Sequence, residues 1–127
     1  MMNIFFFISG ILAFIAGLAH SFLGERFFIP RFKIREQKLD VGTERFVNRT
    51  LRSVWHLFTL ASWSTAALLI VFAFRELDDT TVIVARIISN FFLLSGVLSI
   101  FISHARQLIW LVFFIMSLLS WIGTYTY

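Results

Sequence analysis

Four stretches of about 20 residues, each nearly free of charge, constrain this chain more than any other feature: residues 3–23, 54–74, 82–103 and 108–127. An α-helix needs about 20 apolar residues to cross a hydrocarbon layer roughly 30 Å thick. Within lipid the backbone has to satisfy its own N–H and C=O groups, so such stretches cross as helices. Composition points the same way, with 59% of residues hydrophobic, 14% charged and a mean hydropathy of +0.87. A soluble domain carries about 25% charged residues. The expected fold is all-α: an antiparallel bundle of four transmembrane helices forming a single domain over 1–127, with a basic loop at about 24–53.

The third and fourth stretches meet at Ser103-His104-Ala105-Arg106-Gln107 without a Pro or Gly. One helix through both would be roughly 70 Å long, more than twice the hydrocarbon thickness, so a tight hairpin is expected there. No basic residue precedes the first stretch, and its length exceeds the 7–15 apolar residues of a signal-peptide core, so it reads as a permanent span. Cysteine is absent, which excludes disulfides, thiolate metal ligands and a thiol nucleophile.

Charge placement orients the spans. Arg26, Arg31, Lys33, Arg35, Lys38, Arg45, Arg49 and Arg52 lie between the first two, and Arg106 between the last two; the opposite side has Arg75 and Arg86 beside Glu76, Asp78 and Asp79. Basic residues of short loops stay on the cytoplasmic side. Both termini are therefore expected outside, in the periplasm if the source is a double-membraned bacterium. The net charge of +4 follows from this rule and from anionic lipid, with no nucleic acid required. Trp55 and Trp110 would mark the cytoplasmic interface, and Trp121, Tyr125 and Tyr127 the outer one.

Within the basic loop, residues 27–35 mix apolar and basic side chains, suiting a segment at headgroup level. Pro30 is expected to end or bend the first helix. The second helix is expected to start inside the cytoplasm, with Thr43 as N-cap and Glu44 against the positive end of the helix dipole. Phe5, Phe6, Phe7, Phe14 and Phe22 read as lipid-facing or packing residues.

Threading the spans brings His20, His56 and His104 to the same membrane face, within roughly 5–10 Å in depth. Titratable side chains near hydrocarbon face a bundle interior, a partner or a watery cavity. His20 shares a helix face with Ala13, Ala16, Gly17 and Gly24, whose small size lets another helix approach. His56 aligns with Arg45, Arg49 and Arg52 on one side and with Trp63 and Ala67 on the other, and His104 with Arg86, Asn90 and Val97. All three histidines are thus expected on interior faces. Glu25 is turned roughly 140° from His20 on an ideal helix, making it a lesser ligand.

Three imidazoles with an open fourth position suit zinc or copper in ligand type. Two suffice for haem b, with Arg49 or Arg52 to pair with propionates. Against these stands a plain structural role, in which interfacial histidines cap helix ends or sit among headgroups. Arg86 and Asn90 suggest a second polar site at the outer side, with Glu76, Asp78 or Asp79 reaching back to Arg86. Leu93, Val97 and Ile100 interrupt the polar stripe before His104, which argues against an open channel.

At Ala19-His20-Ser21-Phe22-Leu23-Gly24-Glu25-Arg26 and Arg52-Ser53-Val54-Trp55-His56-Leu57 the chain resembles an uncharacterised group of small bacterial four-span membrane proteins. The resemblance implies an inner-membrane location and puts emphasis on His20, Gly24, Glu25, Trp55 and His56; it implies no activity. The functional expectation is a histidine site binding a transition metal or b-type haem. Alternatives are a non-catalytic accessory or scaffold subunit of a homo-oligomer or larger membrane complex, and proton-coupled transport or quinone-type ligand binding. No Ser-His-Asp arrangement, phosphate loop or paired catalytic carboxylates stand out, which points away from an enzyme.

Overall fold

The computed structural model describes residues 1–31, 40–104 and 108–126. The part beyond Arg31 of the segment expected at headgroup level, residues 105–107 of the expected hairpin and Tyr127 fall outside them. Among the described residues the chain is helical throughout, without strands: α1 (Ile4–Leu23), α2 (Val41–Ala73), α3 (Asp79–Ser103) and α4 (Ile109–Gly123). Three helices are long and apolar enough to cross a membrane: α1 with its extension to Arg31, α2 and α3. The fourth is shorter than expected, because 15 residues span only about 22 Å.

The start of α1 is tied to two other helices by one residue. The Asn3 amide donates to the carbonyls of Gly123 (2.8 Å) and Thr126 (3.0 Å), its backbone N–H donates to Ala73 O (2.7 Å), and its Oδ1 accepts from Phe6 N–H. This capping position satisfies a helix-end N–H that lipid could not. Above it, Phe6, Ala13, Ala66, Leu69, Ala85, Ile88, Phe92 and Met116 form the buried core. Serines join the helices through it: Ser9 Oγ bonds Ser120 Oγ (2.8 Å) and donates to Met116 O, and Ser89 Oγ donates to Ser117 O (2.7 Å). Between helices surrounded by lipid, packing and such hydrogen bonds replace the hydrophobic effect.

Contacts run mainly α2 to α1, α1 to α4 and α4 to α3, with few between α2 and α3. The helices therefore neighbour one another in the order α2, α1, α4, α3, and α2 and α3, joined through residues 74–78, touch little. Fully buried residues of α3 end at Gly96 and those of α4 begin at Met116. The core thus sits in the half of the molecule nearer the termini.

One local expectation changes and two gain detail. The first residue of α2 is Val41, two positions before Thr43, and Asp40 is its N-cap; Glu44 does lie in the first turn, its N–H bonded to Asp40 O at 2.9 Å. Pro30 stands one residue before the last described residue of the α1 extension. A π-turn at Gly24–Phe28 precedes it, with Ile29 N–H bonded to Gly24 O five residues back, and the helix runs on to Arg31. Among the apolar residues, Phe6 is fully buried, whereas Phe14 and Phe22 remain exposed.

Candidate functional site

Two adjacent residues of α2, Trp55 and His56, engage the end of α1. Gly24 makes this approach feasible: a Cβ there would collide with the Trp55 indole. The indole Nε1 donates to His20 O at 2.8 Å, and its ring stacks on the His20 imidazole at 4.2 Å and 5°. Phe28 stacks on Trp55 at 5.5 Å, and Phe58 lies 4.9 Å from the His20 ring. Higher up, Trp63 repeats the arrangement against Gly17, donating to Phe14 O. The small face of α1 thus meets α2, as the sequence pattern implies, with Trp55 wedged between them.

His56 lies at the centre of a polar chain. Its Nε2 is 2.8 Å from Glu25 Oε1 and its Nδ1 is 3.2 Å from Ser21 Oγ. A carboxylate only accepts, so the proton belongs on Nε2 and Nδ1 accepts from the Ser21 hydroxyl. Glu25 is held from its other side by Arg52, with Nε to Oε1 at 2.9 Å and Nη2 to Oε2 at 3.1 Å. That two-point grip sets the carboxylate plane. The His56 and Glu25 side chains are 39% and 38% exposed, so the pair is reachable from its surroundings. The π-turn makes this geometry available: it begins at Gly24 and changes the winding where Glu25 leaves the helix, a device common at functional sites. Ser21 was not singled out by sequence; its place one turn before Glu25, on the strand of residues facing His56, was the available signal.

The three histidines do not share one position. His20 packs on Trp55 and its Nε2 is buried without a hydrogen-bond partner among the described residues. His104 is exposed, and it caps α3 in the left-handed conformation (φ 49°), its N–H bonded to Ile100 O. The expected interior placement of His104 is therefore corrected: its stripe, with Asn90 and Val97, faces outward. Among the described residues no group of three or more His, Cys, Asp or Glu is arranged to hold a metal ion. Arg49 is exposed, and Arg52 is engaged by Glu25.

At the other end, Arg86 lies over Trp121 (5.6 Å) and Tyr125 (5.4 Å) instead of pairing with an acid. Among the described residues no ion pair or hydrogen bond joins it to Glu76, Asp78, Asp79 or Asn90. The cavity at this end, about 710 Å³, is lined by residues that include Asn3, Phe74, Arg75 and Glu76, but by neither Arg86 nor Asn90.

Fold and site together define an all-helical protein with three helices long and apolar enough to cross a membrane and a polar site at one end of the α1–α2 pair. The chain matches no family model, no curated protein and no solved structure.

Proposed function

We propose that this is a four-span, antiparallel bacterial inner-membrane protein whose activity turns on proton uptake and release at His56, in the class of proton-coupled transport. One observation carries the reading: the continuous chain Ser21 Oγ–His56–Glu25, half exposed at the end of two membrane helices. Imidazole is the side chain best suited to exchange protons at physiological pH. A carboxylate on Nε2 orients the ring and leaves a hydroxyl on Nδ1 to pass a proton on. Positive-inside charge supports a cytoplasmic position for this end and for the first turns of α2, with both termini outside. Membership of the small four-span group belongs to the same proposal, since both strings that carry the resemblance meet at this site.

Vesicles holding the reconstituted protein and an internal pH-sensitive dye provide the test. After an external pH jump, wild type is expected to equilibrate faster than empty vesicles, and His56→Gln and Glu25→Gln are expected to return the rate to that background. Equal rates in wild type, both variants and empty vesicles would contradict the reading.

A metal or b-type haem remains as a second reading on a separate observation, the buried, unpartnered Nε2 of His20. It favours a ligand at His20, while both ring nitrogens of His56 are already engaged. Gentle purification with metal analysis and a visible spectrum, compared with His20→Ala, tests it. A stoichiometric signal lost in the variant supports it, and a colourless, metal-free wild type removes it.

A further inference from the structure

Helix α3 buries Ala85, Ile88, Ser89, Phe92 and Gly96 on the side that packs on α4. On the opposite side, at 100° per residue, stand Ile83, Ile87, Asn90, Leu94, Val97 and Phe101, all exposed. Their spacing is 4, 3, 4, 3, 4, the heptad seam of a left-handed helix pair. Four of the five apolar members are more than half exposed, so nothing in their own chain covers them.

Lipid alone would suit five of these residues but not the sixth. Asn90 is the twelfth of the 25 residues of α3, close to the middle of the span. Its amide makes no hydrogen bond with another described residue, and it is exposed. A carboxamide in hydrocarbon is costly without a partner, and polar residues at such depth face another helix. A single Asn in a heptad seam also fixes register and the number of strands.

We infer that this face is the contact between two copies of the chain, with Asn90 hydrogen-bonded to Asn90 of a second copy. Self-complementarity selects that occupant. Copies in one bilayer share one orientation, so two α3 helices related by a two-fold axis along the membrane normal run parallel and in register. Each Asn90 then faces its own equivalent, and an amide both donates and accepts. The proton site lies on α1 and α2, away from this seam, and neither depends on the other.

The chain has no cysteine, so single substitutions report contacts directly. The full protein is oxidised in its native membranes with Cys at Ile87 or Leu94 on the seam, or at Leu93 or Ile102 beside it. Disulfide-linked dimers are expected for Ile87→Cys and Leu94→Cys and not for Leu93→Cys or Ile102→Cys. Adding Asn90→Leu to Leu94→Cys should weaken dimerisation by roughly 3- to 20-fold, the worth of an interhelical hydrogen bond in a membrane, and Asn90→Gln should restore it. Absence of seam dimers, equal cross-linking on and off the seam, cross-linking to a different protein, or no effect of Asn90→Leu would each overturn the inference.

Discussion

Gly24 shows how much can hang on one missing methyl group. Its Cα hydrogen lies against the Trp55 indole, and that indole in turn holds His20 by a hydrogen bond and a stack. Gly24→Ala forces the indole aside or the helices apart. Overpacking of this kind costs about 1–3 kcal/mol, and unfolding in detergent should register a loss of that size. The double variant Gly24→Ala with Trp55→Leu should recover part of it, because the colliding ring is gone; an additive loss would show that the two residues do not meet. The paired strings around His20 and His56 were legible in the sequence as places where chemistry concentrates. That Ser21 completes the chain through Nδ1 was not, since a serine in an apolar helix reads equally well as a back-bonded hydroxyl.

At the level of elements, the helix ends carry the clearest tests. His104 occupies the left-handed C-cap position that glycine normally fills. A side chain there costs about 1 kcal/mol, so His104→Gly should stabilise the protein by about that amount in a thermal melt and leave proton uptake by His56 unchanged. A loss of proton uptake would instead return His104 to the site. Asp78 caps α3, accepting from Thr81 N–H at 2.8 Å. Hydrogen bonding from Thr81, through its side chain and then its backbone, holds the Asp78 carboxyl below its ordinary value, with Arg75 adding a smaller effect in the same direction. A folded-state value below the unfolded one stabilises at pH above the unfolded value, and this contribution is lost as pH falls through the depressed one. Asp78→Asn keeps a capping oxygen without the charge, so its stability should vary less than wild type across the acid range. The hairpin break between α3 and α4 was legible from length alone. Its cap was not, because His104 gives no sequence signal of the kind a glycine would, whereas Pro30, with no N–H and a ring that crowds the carbonyl four residues back, did signal a distortion of the helix before it.

For the whole molecule, hydropathy legibly specified helices and their number, because lipid leaves the backbone no other option. It was silent on their order in space. The membrane-crossing parts of the helices are apolar on most of their surface, so no polar face marks the outside, and the neighbour order α2, α1, α4, α3 emerges from small contacts: Asn3, the serine pairs and the glycines under Trp55 and Trp63. That order is also why His104 stands apart: it ends α3, while His20 and His56 belong to the α1–α2 pair, and α2 and α3 touch little. The site consequently rests on two helices and is organised by a single imidazole. Nitrogen NMR of His56 in bilayers tests this most directly. The neutral ring should carry its proton on Nε2 with Nδ1 accepting, Glu25→Gln should alter the Nε2 signal, and Ser21→Ala should alter mainly Nδ1. A ring protonated on Nδ1, or one indifferent to both substitutions, would contradict the relay.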